Sequence, residues 1–212
     1  VAAECIAFGD QRDQVKGFEL IIYLTGCPAT GKTTLAEKIA DKVRNVVHFR
    51  FGRVLTKLIN ENQPTVTQDS LRTSTSHVST PLLVNEVNEK AISVCEDRRG
   101  IESVIIDTHA VTTEETGFRL TPFSTDQLKR LNPDIFVCLT AHPILRQNRV
   151  SIEASGRPIL SEEQLSLQAS IQTSLVTAYS AATGKPAYFL KNETPDDLER
   201  NWNELAGLIE NS

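Results

Sequence analysis

The stretch Ile21 to Leu35, IIYLTGCPATGKTTL, restricts what this chain can fold into more than any other part of it. An apolar run, Ile21 to Leu24, leads into Gly26. Gly31, Lys32 and Thr33 then complete the spelling G-x-x-x-x-G-K-[ST], and the chain continues as the helical pattern TTLAEKIADKV. A strand, a glycine-rich turn and a helix in that order make a phosphate-binding loop. Such a loop wraps a polyphosphate with its backbone, which calls for glycine at Gly26 and Gly31, where a Cβ would push the chain outward. The phosphate then sits at a helix N-terminus, where unpaired amides and the positive end of the helix dipole favour an anion.

These rules give each residue of the loop an expected role. Gly26, Cys27, Pro28, Ala29, Thr30, Gly31, Lys32, Thr33 and Thr34 form the expected ATP-binding segment. Lys32 is placed to reach the β- and γ-phosphates, and the Thr33 hydroxyl to ligate Mg²⁺ carried in with ATP.

Composition bounds the rest. With 212 residues, 40% hydrophobic and 23% charged, the chain fits one α/β domain. Its net charge of −5 argues against a nucleic acid or an anionic membrane as the main partner, so local basic groups must do any phosphate binding. The four cysteines, Cys5, Cys27, Cys95 and Cys138, lie far apart with no C-x-x-C spacing and read as free thiols of a reducing compartment. Cys27 fits its loop as a spacer. No stretch approaches the roughly 18 consecutive apolar residues of a membrane span. Residues 1–18 are interrupted by Glu4, Asp10, Arg12, Asp13 and Lys16 where a signal peptide needs an apolar core, and the expected location is cytoplasmic.

Residues 1–17 read as an N-terminal extension and 18–212 as the phosphate-loop domain. After the first helix, which runs to about Val43, a second strand is expected over Val46 to Phe51 and a helix over RVLTKLINEN. A Ser/Thr-rich stretch precedes Pro81 and a long helix that ends by Gly100, so that about 53–90 forms an insertion. Buried strands are expected over Glu102 to Asp107 and Asp134 to Thr140. Between them lie a loop after Asp107 and a short helix at 124–131. A helix with Arg146 and Arg149, a short lid at about 150–160, a helix from about Ser161 to Thr183, the strand AYFLKN and a helix from Pro195 to Ile209 complete the chain. Strands alternating with helices give a three-layer α/β/α fold with a central parallel sheet of about five strands.

In such a sheet the ligand lies beyond the carboxyl ends of the strands. Asp107 ends an apolar strand and is the expected carboxylate for Mg²⁺, holding it through water, with an acid that merely caps a turn through Thr108 as the alternative. His109 either contacts substrate phosphate or fixes this loop by hydrogen bonding. Arg146, Arg149 and Arg157 read as lid arginines that neutralise the charge spread over a phosphoryl group in transfer, so Lys32, Arg146, Arg149, Arg157 and Asp107 are the catalytic candidates. The lid is too short for a zinc module and holds no cysteine, and no structural zinc is expected.

From about Leu20 to the C-terminus the chain resembles the archaeal-type adenylate kinases, a branch of the nucleoside monophosphate kinases. The resemblance is carried by TGCPATGKTTL, Phe51-Gly52, DSLR at Asp69 to Arg72, IIDTHAV at Ile105 to Val111, LNPDIFVCL, RQNR at Arg146 to Arg149 followed by Gly156-Arg157, and FLKN. It implies an AMP site at Gly52, Arg72, Thr108 and His109, with Arg72 on the AMP phosphate, and an adenine contact at Asn192 on the ATP side. It also implies a homo-oligomer, a trimer. The chain departs from the family's pattern after His109. Thr113 stands where the family has a basic residue, its Pro-Gly pair is absent, and Arg119 is the residue that could compensate in the AMP site.

The reaction implied is transfer of the γ-phosphoryl of Mg·ATP to AMP, giving two ADP. A related kinase with another nucleoside monophosphate or small metabolite as acceptor, and a nucleotide-switch ATPase, are the alternatives.

Overall fold

Strand β1 (Ile21–Gly26) is buried along its whole length, and the sheet is organised around it. The computed structural model describes residues 19–62, 80–114, 117–153 and 159–211. The expectations placed on residues 1–17, on Arg72 and on Arg157 fall outside these residues.

Helix α1 (Lys32–Lys42) follows β1, then β2 (Val46–Arg50), α2 (Phe51–Asn62), α3 (Pro81–Arg98) and β3 (Ser103–Asp107). Next come β4 (Val111–Glu114), β5 (Gly117–Leu120), α4 (Thr125–Leu131) and β6 (Ile135–Thr140). Helices α5 (Pro143–Glu153) and α6 (Glu162–Thr183), strand β7 (Ala187–Lys191) and α7 (Pro195–Glu210) end the chain. Among the described residues no helix is long and apolar enough to cross a membrane.

The main sheet has five parallel strands in the order β2-β3-β1-β6-β7. The expected three-layer architecture is therefore what the chain adopts. Alternation along β1 divides the core between the two faces. Ile21 and Tyr23 pack with Val87, Ile92, Ile106, Phe136 and Tyr179, while Ile22 and Leu24 pack with Leu35, Ile39, Val137 and Leu205. Helices cover both faces of the central strands, which is why β1, β3 and β6 read as largely apolar runs.

The order of strands sets the site. From β1 the chain crosses past β3 to reach β2, and later returns on the other side of β1 through β6, so the topological switch falls at the carboxyl end of β1. Register brings Leu24 level with Asp107 and Gly26 level with Leu139. Asp134 accepts a hydrogen bond from the Ile21 amide at 2.9 Å, which fixes where β1 starts and gives a physical reason for an acid at the head of β6.

Two local expectations need correction. The second strand ends at Arg50, and Phe51 opens α2 because its ring is drawn into the core beside Phe123. The segment after His109 is an antiparallel hairpin, with Thr112 opposite Arg119 and Thr113 opposite Phe118. Its base is closed by the Thr121 amide donating to Ala110 O at 2.8 Å. The chain leaving the hairpin is pinned by the Phe123 amide, which donates to the Tyr179 hydroxyl at 2.7 Å. Helices α4, α6 and α7 begin at Ser124, Ser161 and Thr194 with reciprocal capping boxes, which satisfy amides that would otherwise be orphaned.

Candidate active site

The loop between β1 and α1 takes the backbone that its glycines permit. Gly26 has φ +146 and Gly31 φ +85, and a Cβ on Gly26 would collide with the Leu139 carbonyl oxygen of β6. Ala29 also adopts a left-handed φ of +62, an uncommon conformation for a residue with a Cβ, held here by the surrounding loop. Gly31 caps α1 without a side-chain partner and no acid lies in the first turn, so the first amides of the helix have neither a capping oxygen nor a competing carboxylate. A concave backbone ending in a bare helix N-terminus is what an anion needs.

Lys32 is 8% exposed and its ammonium folds back onto the Cys27 carbonyl at 3.2 Å; the Thr30 hydroxyl donates to the same oxygen at 2.9 Å. Burial pushes the Cys27 thiol up, against the smaller downward pull of Arg146 and Lys32. At neutral pH it is a spacer with a protonated thiol.

The Thr33 hydroxyl donates to Asp107 Oδ2 at 2.7 Å across the gap between α1 and β3. His48 on β2 brings Nε2 within 3.5 Å of that same oxygen. Asp107 is 7% exposed. Burial alone would raise its pKa, but the close approach of His48 Nε2, the charge of Lys32 and the Thr33 hydrogen bond outweigh it and hold the carboxyl below the usual range. A hydroxyl and an ionised carboxylate beside the Lys32 ammonium form a hard oxygen donor set that fits Mg²⁺. With a nucleotide bound, that ion would neutralise phosphate charge.

The depressed Asp107 pKa predicts a pH dependence of stability in the ligand-free protein. A lowered folded pKa stabilises above the unfolded value and is lost as pH falls through the folded one. The stability gap between wild type and Asp107→Asn is therefore expected to be constant near neutrality and to shrink below about pH 4, in urea melts run with a chelator. A gap that widens on acidification would show that the carboxylate is not stabilised by its neighbours.

Both described arginines of α5 are turned to the back of the loop. Arg146 is 1% exposed; its Nε donates to Pro28 O at 3.2 Å, Nη1 to Leu165 O at 3.0 Å, and Nη2 to Gln168 Oε1. Arg149 Nη1 donates to Ala29 O and to Asn192 O, each at 3.1 Å, and Nη2 to Glu193 O at 2.8 Å. Asn192 is buried too, its carboxamide donating to Thr30 O at 2.7 Å. Three side chains from beyond Thr140 thus hold the carbonyls of Pro28, Ala29 and Thr30. In this conformation they brace the loop from behind.

On the expected acceptor side, Gly52 lies in the first turn of α2 with open space where a Cβ would stand. Thr108 is buried and its amide donates to Leu24 O at 3.1 Å, while His109 is exposed. Arg119 on β5 is held to Glu114 on β4 at 3.5 Å.

Lys32, Thr33 and Asp107 are thus brought together, and Arg146, Arg149 and Asn192 meet on the loop backbone. Sequence reasoning missed His48 and Gln168. For His48 a signal existed: it lies two residues before Arg50 on a strand whose Arg50 is level with Asp107, so both side chains share the face of that acid.

A family model described as an AAA domain matches residues 25–166, more than half of the chain. The chain belongs to this AAA-domain family. A curated relative of the AAA-domain chain, the adenylate kinase of Methanopyrus kandleri, is 22% identical over 191 residues, covering 89% of this chain and 97% of that protein. The shikimate kinase of Bacteroides thetaiotaomicron superposes with a TM-score of 0.54 at 22% identity, over 90% of this chain and 98% of the other. That of Acinetobacter baumannii, solved with shikimate, gives 0.57 at 16%, over 92% and 95%. A putative kinase of Chloroflexus aurantiacus gives 0.55 at 16%, over 92% and 99%. At these identities the solved structures establish that the AAA-domain chain shares their fold.

Proposed function

We propose that this chain is a phosphate-loop kinase that transfers the γ-phosphoryl of Mg·ATP to a nucleoside monophosphate, AMP, giving two ADP. The observation that carries the reading is the meeting of Lys32, Thr33 and Asp107 at the carboxyl ends of β1 and β3. Lys32 and the loop amides hold the donor phosphates, and Thr33 and Asp107 would hold the Mg²⁺ carried in with ATP, which would supply neutralisation of phosphate charge. Arg72 takes the acceptor phosphate, and Arg157 closes over the transfer. No covalent intermediate on the protein is needed, because positioning and electrostatics do the work. The motifs shared with the adenylate kinases, and the relative of that name, support AMP as acceptor.

One observation favours a second acceptor class. The family's basic residue is Thr113 here, and the nearby Arg119 is partly neutralised by Glu114. A small hydroxylated metabolite is the acceptor that such a hairpin would suit. A panel of nucleoside monophosphates and hydroxylated acids, followed by coupled ADP release, separates the readings. AMP is expected to raise ADP formation at least about tenfold over ATP alone, since an oriented acceptor outcompetes water. Equal turnover without any acceptor would overturn the kinase reading in favour of an ATPase, and a response confined to another acceptor would overturn AMP.

A further inference from the structure

Arg146 and Gln168 are each 1% exposed and lie on neighbouring helices, α5 and α6. The acceptors gathered around the guanidinium are neutral: the carbonyls of Pro28 and Leu165 and the Gln168 carboxamide. A guanidinium only donates, so Gln168 must turn Oε1 towards it, which leaves Nε2 to donate elsewhere. It does so to the Thr113 hydroxyl on β4, at 3.3 Å. A continuous chain of hydrogen bonds therefore runs from the phosphate loop through Arg146 and Gln168 to the hairpin that follows Asp107-Thr108-His109. The buried carboxamide has its orientation fixed at one end by a charge, so the other end is fixed as well.

We propose that Gln168 is a positioning residue that registers the acceptor hairpin against the phosphate loop, so that a triphosphate filling the loop is felt at β4 and β5. Placing the acceptor at the hairpin rests on the proposed kinase function; the mechanical link does not. Thr113 belongs to the link because its hydroxyl is where the carboxamide docks, at the position where the chain departs from the adenylate kinase pattern.

The test is hydrogen exchange in peptides covering residues 111–120, with and without a non-hydrolysable ATP analogue, in the full-length protein. The analogue is expected to slow exchange of these peptides in wild type and in Thr113→Ser, which keeps the hydroxyl. In Thr113→Val, which removes only the acceptor for Nε2, and in Gln168→Leu, the slowing is expected to be lost, while the analogue's Kd in Thr113→Val stays within about twofold of wild type. Where AMP or another panel member is turned over, Thr113→Val raises the acceptor KM about fivefold, the worth of one neutral hydrogen bond, and leaves the ATP KM unchanged. The double variant is expected to be no worse than Gln168→Leu, because both break one chain.

Full analogue-dependent slowing in Thr113→Val, no slowing in wild type, or independent effects of the two substitutions would overturn the proposal. Should Gln168→Leu fold poorly, Thr113→Val still decides it. The exchange measurement needs no acceptor. An inert AMP would therefore sink the AMP reading alone, and normal AMP turnover with unchanged exchange in Thr113→Val would sink the link alone.

Discussion

Lys32→Ala is expected to lower kcat/KM for phosphoryl transfer by about 10²–10³, the usual cost of removing one group that stabilises developing charge. Its folded structure should survive. The ammonium donates to the Cys27 carbonyl, which also accepts from Thr30, so the truncation leaves that oxygen satisfied. It also removes a buried cation without stranding a carboxylate, because Asp107 keeps Thr33 and His48. The loss should fall mainly on kcat, since charge on the transferred group and its leaving oxygen is greatest in the transition state. Thermal melts and single-turnover assays on the same preparation check both halves. A variant that melts like wild type and keeps near-normal turnover would remove the centre of the functional assignment.

What could be read from the sequence follows from how local each feature is. The phosphate loop was legible because its strand, glycines and helix start lie within fifteen consecutive residues, Ile21 to Leu35, and obey local backbone rules. Asp107 was legible because a buried parallel strand must end somewhere near the loop, and an acid there is conspicuous. The hairpin was not. Val111 is its buried residue, whereas Thr112, Thr113, Glu114, Phe118 and Arg119 are all half-buried, so no apolar alternation marks two strands. The braces behind the loop were illegible for another reason. Arg146 and Pro28 are 118 residues apart, and Asn192 and Thr30 162 apart, so only the completed sheet brings them together. The sequence marks Arg146 and Arg149 as phosphate-seeking groups on chemistry alone; the fold presents their guanidinium groups to carbonyl oxygens.

Arg146→Met is the substitution that separates those two roles. As a brace, Arg146 donates to three buried acceptors, and losing it strands the Pro28 carbonyl and the Gln168 oxygen, while Leu165 O, within α6, keeps the helix's own hydrogen bond. Each such oxygen costs about 1–3 kcal/mol, part of which the methionine recovers by packing where the arginine stem lay, so a net loss of about 3 kcal/mol is expected. With Pro28 released, ATP affinity should fall together with stability. Arg149→Met should cost less stability, about 1 kcal/mol, because that guanidinium is only half-buried and water can replace it. Arg146→Lys should recover little, since an ammonium cannot span three acceptors in fork geometry. Urea melts and nucleotide titrations on the three variants give the answer. If Arg146→Met instead keeps wild-type stability and ATP affinity while kcat drops a hundredfold or more, the guanidinium leaves its carbonyls to reach the phosphoryl group in the working enzyme. The brace would then be only its resting position.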